Sequence, residues 1–322
     1  MAEEQVETNG PAPDASGNAI ASASRPPPED MEARGDGGIK PAPTSLSHSR
    51  SLSLSTPSSS HKQRQTQRHV TVKDLYRQFA SHLGETISQE DASLPLGWQC
   101  FLTGAIDALM YSRSGVWVAF QTGNMVQLSQ NIAQYIIPWR PGLTRQPLEA
   151  VERAVTISTF LLSSFIGSLI ARKIGQRRRA WLVLSSVLQS LFLWGTAGIL
   201  LHLPDDVAPS FQWFPVILIL TAFSMGLQSV TSQMVSSPPW ATTVAFTATL
   251  TQIGSDPYLL TLAPSPQTSG RDRRLLSVVM LCFGAGVAEC LLNTALNFKG
   301  SIAVCAALKL FLALLWLAPN GS

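Results

Sequence analysis

Apolar residues dominate the chain from about Gly97 onward, whereas the part before it is mostly polar. Six apolar stretches of the second part approach the roughly 20 residues that a helix needs to cross a hydrocarbon core of about 30 Å. These stretches cover residues 96–111, 151–171, 180–202, 211–230, 275–296 and 301–317. The pattern predicts a multi-pass, all-α membrane protein.

Two further segments are apolar overall but rich in Thr, Gly, Asn and Gln. The first covers residues 115–137 and contains Gln-Thr-Gly-Asn-Met-Val-Gln-Leu at 121–128. The second covers residues 240–262 and contains a weaker copy, Phe-Thr-Ala-Thr-Leu-Thr-Gln-Ile, at 246–253. Each half of the chain therefore has the order span, polar segment, span, span.

Positive charges in the loops predict how these segments cross the membrane. Basic residues cluster at 172–179 and 271–274, and loops of this kind face the cytoplasm. The loop with Asp205 and Asp206 has no Lys or Arg and is expected on the opposite side. These assignments agree with one another if each polar segment enters and leaves the membrane on the same side. We predict six full spans plus two re-entrant or broken segments, with both termini cytoplasmic.

Three spans in each half place the halves in opposite orientations. The predicted architecture is an inverted repeat of two three-span halves, about 94–203 and 211–319, as in many secondary transporters. Gly123, Pro238 and Pro239 are suitable positions for breaking the two polar segments. Small residues recur every fourth position at 163, 167 and 171, and again at 284 and 288, which favours close helix packing.

The first part of the chain divides into two regions. Residues 1–68 are rich in Pro and Ser and have too few apolar residues to form a core, so we expect a disordered cytoplasmic leader. The Ser-rich stretch at 50–57 is either a phosphorylation site that recruits partners or an unregulated tail. Residues 69–93 contain a capping box and an amphipathic helix from Val72 to Ile87, which would contact lipid headgroups or dock against the membrane domain.

Composition and motifs exclude several function classes. The formal net charge of +3 gives no reason to expect a nucleic-acid partner. The four cysteines lie within apolar spans without a Cys-x-x-Cys pair, and His202 is the only histidine after residue 82. The sequence has no phosphate-binding or dinucleotide-binding glycine motif. We therefore expect no enzyme activity, catalytic residue, metal or cofactor.

Polar side chains within the predicted spans and segments are the candidate ligand groups. Asp107 is the best candidate for binding a cation or proton. The alternative is a purely structural hydrogen-bonding role for this residue. The other candidates are Thr122, Gly123, Asn124, Gln127, Thr247, Thr249 and Gln252. Their hydroxyl and amide groups suit an uncharged polar solute or a partly dehydrated cation. Alternatively, they hydrogen-bond one repeat to the other.

Glu289 and Lys309 are the other ionisable residues singled out within the spans. In the predicted topology they lie roughly 9 and 12 Å from the outer ends of adjacent helices, at 1.5 Å per residue. Similar depth allows an ion pair. That pair would be a structural clamp between helices or, less favoured, a charge site in a solute path.

Two motifs resemble a known family. Gly104-Ala105-Ile106-Asp107-Ala108 followed by Gln121-Thr122-Gly123-Asn124-Met125-Val126 is similar to the YoaK-like membrane proteins, a domain-of-unknown-function family of bacteria and fungi. The second Thr-rich block, followed by Asp256-Pro257, also resembles it, and the leader is similar to the fungal branch. The resemblance covers residues 70–317 and implies an architecture without an established activity.

Two functions remain open from the sequence. The first is a secondary transporter or permease for a small polar solute or ion, with Asp107 and both polar segments at a site near the membrane midplane. The second is a membrane scaffold or regulatory protein whose polar segments hold the repeats together and whose leader recruits partners.

Overall fold

The computed structural model describes residues 72–137, 147–203, 214–235, 246–261, 263 and 265–319. The helices in these ranges are α1 Val72–Gly84, α2 Ser93–Ser114, α3 Gln121–Ile136, α4 Pro147–Ile174, α5 Arg179–Leu201, α6 Phe214–Val235, α7 Phe246–Gly254, α8 Ser269–Leu292 and α9 Asn297–Leu315. The leader, the Asp205–Asp206 loop and the proline pair at 238 and 239 lie outside the described residues, and so do the predictions made for them.

Five helices, α4, α5, α6, α8 and α9, are long and apolar enough to cross a membrane. The sixth predicted span corresponds to α2, which has 22 residues and would be about 33 Å long. It is not among the five, and it carries polar residues such as Gln99, Thr103 and Asp107. Most of α2 is buried, so the protein surrounds these polar side chains.

The helices pack in a small number of pairs. The most extensive pairings are α2 with α8, α4 with α6, and α5 with α9. In addition, α5 packs on α6 and α2 on α9. The two helices of the polar segments lie at separate places, α3 on α4 and α7 on α8. Within the described ranges, α3 and α7 make no contact with each other.

Small residues bring two of these pairs into close backbone contact. A side chain at Gly104 of α2 would overlap the carbonyl oxygen of Leu281 in α8, and one at Gly284 of α8 would overlap the carbonyl oxygen of Phe101. Likewise, a side chain at Gly226 of α6 would overlap Ser163 of α4. Lipid tails are as apolar as the helix surfaces, so no hydrophobic effect drives two helices together inside a bilayer. Close approach of this kind is then a main source of packing energy.

One end of α1 is fixed to the loop between α4 and α5. The Ile87 N–H donates to the Arg177 carbonyl at 3.0 Å, and the Arg179 N–H donates to the Glu85 carbonyl at 3.0 Å. The fully buried Arg179 side chain also donates to the Pro319 carbonyl at 2.6 Å, just after α9. The end of α1, the basic loop and the end of α9 therefore lie on one side of the helical body.

The remainder of α1 makes few contacts with that body. The predicted helix from Val72 to Ile87 ends three residues early, at Gly84, and Ile87 is buried separately. Val72, Tyr76 and Phe79 are more than half exposed and share one face of α1. Of the two predicted alternatives, docking against the membrane domain is thus seen at the end of α1, where Ile87 is buried, and not at its beginning.

Replacing Gly284 by Ala should destabilise the protein, because the new methyl group meets the backbone of α2. Overpacking of this kind costs about 1–3 kcal/mol. Gly286→Ala is the matched control in the same helix, since nothing lies within 4 Å of a side chain added there. Thermal unfolding in detergent should give a lower Tm for Gly284→Ala than for the unaltered protein, and the same Tm for Gly286→Ala as for the unaltered protein. Equal melting temperatures for the two variants would contradict the close crossing.

Candidate functional site

Asp107 fixes the turn that connects α2 to α3. Its Oδ1 accepts hydrogen bonds from the N–H groups of Val118 and Ala119, both at 2.8 Å, and its Oδ2 accepts one from Phe120 at 3.2 Å. Asp107 lies seven residues before the end of α2, so the chain folds back about 10 Å along that helix. The first turn of α3 consequently lies well back from the end of α2.

Asn124 holds the same turn from the other side. Its side chain is fully buried, accepting from the Trp117 N–H at 3.1 Å and donating to the Trp117 carbonyl at 2.5 Å and the Gln121 Oε1 at 3.0 Å. A side chain at Gly123 would come within 2.7 Å of the Phe120 ring. In this structure the polar atoms of Asp107 and Asn124 are therefore engaged in supporting the turn.

The other predicted ligand groups do not converge on this turn. Thr122 is exposed, and the Gln127 Oε1 accepts a hydrogen bond from Arg153 Nε of α4 at 3.0 Å. Thr247 and Gln252 are exposed on α7, whereas Thr249 is buried and its hydroxyl has no partner among the described residues. Since α3 and α7 do not meet, the helical parts of the two polar segments that the structure describes are not brought together into one site.

Glu152 and Arg153 of α4 are buried charges that the sequence analysis did not single out. Arg153 donates to Glu149 Oε2 at 2.8 Å and contacts Asn131 of α3 at 3.4 Å, which attaches α3 to α4. Both charges lie at the beginning of a predicted span, where the sequence pattern does not distinguish a buried charge from one at the membrane edge. The pairing of Glu149 with Arg153 at helical i,i+4 spacing was the available signal.

The predicted ion pair between Glu289 and Lys309 does not form. Glu289 is exposed on α8, where its Oε1 accepts a hydrogen bond from Asn293 at 3.2 Å. Lys309 is fully buried on α9 and donates to the Gln189 Oε1 at 2.7 Å and to the Gln228 Oε1. The predicted similarity in depth did not fix which face of each helix carries the charge. The amine faces α5 and α6, not the Glu289 side of α8.

These contacts extend into a buried hydrogen-bond network. Gln228 donates through Nε2 to the Thr103 hydroxyl at 2.7 Å and to the Gln99 carbonyl at 3.1 Å. Gln189 donates to Ser185 Oγ at 2.9 Å, and Ser185 is 2.8 Å from the Thr231 hydroxyl. We call these residues the Lys309 network: Gln99, Thr103, Ser185, Gln189, Gln228, Thr231 and Lys309. It links α2, α5, α6 and α9.

The Lys309 network has polar capacity that is not used internally. Lys309 has no carboxylate within ion-pair distance in the described part of the chain. A protonated lysine has three N–H donors, and two are accounted for by the amide oxygens of Gln189 and Gln228. Both polar atoms of the Gln99 side chain are buried without a partner in the described ranges. Such groups are costly unless a further group, such as a bound solute, satisfies them.

Sequence reasoning missed Gln99, Gln189 and Gln228 because polar uncharged side chains in an apolar helix usually join one helix to another. Their shared burial was not visible from the sequence. A metal site is a different matter, since no cluster of three or more His, Cys, Asp or Glu side chains that could hold a metal occurs in the described residues. The side chains of the Lys309 network carry amine, amide and hydroxyl groups.

Several membrane-length helices enclosing a polar network define a multi-pass membrane protein. The family model described as "Protein of unknown function (DUF1275)" matches residues 96–315, and the chain belongs to that family. The match confirms the resemblance found in the Gly-x-x-Asp and Thr-Gly-Asn motifs. It runs from the first turn of α2 to the end of α9. No curated protein and no solved structure matches the chain.

Asp107→Asn should destabilise the turn between α2 and α3. The neutral amide loses the charge that strengthens three backbone hydrogen bonds. A hydrogen bond to a charged group contributes about 1.5–3 kcal/mol net to stability. Denaturation in mixed micelles should give a lower free energy of unfolding. Thr122→Ala removes an exposed hydroxyl of the same motif and should leave stability unchanged. Unaltered stability of Asp107→Asn would argue against a structural role for the carboxylate.

Glu289→Gln should have no measurable effect on the melting temperature. The replaced carboxylate is exposed, and a glutamine oxygen can still accept from Asn293. If Glu289→Gln lowered the stability and the double variant with Lys309→Met recovered it, the result would instead support the ion pair.

Proposed function

We propose that the protein is a secondary transporter or permease for a small polar solute or ion, and that the Lys309 network forms its solute site. The observation that carries this proposal is a fully buried amine, in a membrane-length helix, held by neutral amides. Ionisable residues within membrane spans are expensive and commonly mark solute or ion pathways. No catalytic step is part of the proposal.

The position of the network supports this assignment. Thr103 and Gln189 belong to the first half of the chain, and Gln228 and Lys309 to the second. Hydrogen bonds between these pairs join the halves directly. A solute bound at the network would therefore contact both halves, so a relative movement of the halves would alter its access to either side.

The helix pairings support an inverted repeat with α2 as the sixth span. We match the helices of the first half, α2 to α5, in order with those of the second half, α6 to α9. Under this matching the pairing α2–α8 corresponds to α6–α4, and the pairing α3–α4 corresponds to α7–α8. The same matching leaves α5–α9 unchanged. Two repeats related by a two-fold axis would have this property. Alternating access in such transporters arises from movement of one repeat against the other.

Contacts at one end of the body support the proposed topology. The α4–α5 loop lies beside the end of α1 and the residues after α9. The basic residues of this loop, and those at the start of α8, favour a cytoplasmic location for that end. We propose that both termini are cytoplasmic and that the exposed face of α1 lies at the lipid headgroups.

The second candidate function is a membrane scaffold or regulatory protein. It is favoured by the Asp107 turn, in which the family motif supports the fold and leaves no polar atom of Asp107 or Asn124 for a solute. In that case residues 1–68 would recruit partners in a phosphorylation-dependent manner.

Transport should be lost in Lys309→Met and retained in Lys173→Met. Both changes remove one lysine charge, but Lys173 is exposed at the end of α4. The measurement is flux of salts, small polar solutes and protons into liposomes that contain the full-length protein. Absence of any flux with the unaltered protein, together with a cellular phenotype that depends on residues 1–68 and not on Lys309, would favour the scaffold.

A further inference from the structure

We infer that the solute of the Lys309 network is a small monovalent anion. This inference rests on the proposed function, because it assigns a chemical class to the same site. It is carried by the charge balance of the buried residues and by the hydrogen-bond donors that the network leaves unused.

The charge balance distinguishes Lys309 from the other buried cations of the described part. Arg153 lies 2.8 Å from Glu149, Arg179 lies 3.4 Å from Glu85, and Arg271 lies 2.5 Å from Asp272. Each of these arginines is therefore compensated within the protein. Lys309 is fully buried with neutral partners only, and an unpaired buried charge is strongly unfavourable. An anion beside Lys309 would supply the missing compensation.

The orientation of the two amides also fits an anion. Gln189 and Gln228 both direct their oxygens at the amine, and their N–H groups are directed at other members of the network. The acceptors of these two side chains are thus used by Lys309. The unassigned third N–H of a protonated Lys309 is a donor, which an anion can accept.

Gln99 provides the second, independent observation. Its side-chain Nε2 and Oε1 are both buried without a partner in the described residues, so that Nε2 is an unused donor on the turn of α2 whose carbonyl accepts from Gln228. Trp98, the preceding residue, donates to the Leu308 carbonyl at 3.1 Å and so holds this turn of α2 beside the Lys309 region of α9. An anion between these helices would accept hydrogen bonds from both the amine and the Gln99 amide.

The same features disfavour the other solute classes. A cation would be repelled by Lys309, and the carboxylate of Asp107 is already bonded to three backbone N–H groups. A divalent anion would leave one charge uncompensated in a site of low dielectric constant. A neutral solute would leave the charge of Lys309 unbalanced. A single lysine in a fully buried network therefore matches one small, singly charged anion.

The test is anion-dependent thermal unfolding of the full-length protein in detergent. Sodium acetate, nitrate and chloride are compared with sodium sulfate, glycerol and choline gluconate at constant ionic strength, with sodium gluconate as the balancing salt. At least one small monovalent anion should raise the Tm in a saturable manner, because a ligand that binds only the folded state stabilises it. Sulfate, glycerol and choline should not.

The variants locate the effect. Lys309→Met should raise the anion concentration for half-maximal stabilisation at least about tenfold, since hydrogen bonds to charged groups are the stronger class. Lys173→Met should leave that concentration unchanged. Gln99→Leu keeps the charge and should weaken binding to a smaller degree, which preserves the test if Lys309→Met does not fold.

Two results would overturn the inference. One is a saturable shift with sulfate, glycerol or choline in the absence of any shift with the monovalent anions. The other is an anion shift that persists unchanged in both Lys309→Met and Gln99→Leu. Liposome flux separates this inference from the proposed function. Flux of a neutral solute would contradict the anion and retain the transporter, whereas anion binding without flux of any solute would retain the site and contradict transport.

Discussion

Every backbone polar group that enters a hydrocarbon layer must find its hydrogen-bond partner within the protein. The turn between α2 and α3 shows how such groups are satisfied where the chain leaves the helical conformation and folds back along α2. Asp107 accepts from three consecutive N–H groups of the turn, and Asn124 closes on Trp117. These two side chains satisfy the backbone of a non-helical turn next to a buried helix.

The family motif around Gly104 and Asp107 combines two physical roles on one helix. Gly104 allows α2 to approach the backbone of α8, and Asp107, about one turn later, caps the turn before α3. In this structure the contacts of this residue pattern are helix packing and backbone hydrogen bonds. The Lys309 network, which links α2, α5, α6 and α9, is one of the places where buried polar atoms have no partner in the described part of the chain.

The Lys309 network differs from ordinary polar contacts between membrane helices. Pairs such as Thr196 with Thr221 join two helices and are complete in themselves. Lys309 instead introduces a charge whose protein partners are neutral, and Gln99 adds an amide without a described partner. Desolvating an uncompensated charge is expensive, which is why the proposed solute site is assigned to this network.

The sequence by itself determined the helical membrane character, the family and the approximate bounds of the long helices, because hydrocarbon thickness fixes the length of an apolar span. It also identified Asp107, Gly123 and Asn124 as special positions, with the structural role as one open alternative. Only the tertiary structure decided that α3 and α7 lie apart, that Lys309 faces two glutamines and not Glu289, and that Gln99 is left without a described partner. The reason is that spacing along a helix gives the depth of a residue, whereas its neighbours depend on how each helix is rotated about its own axis against the helices around it.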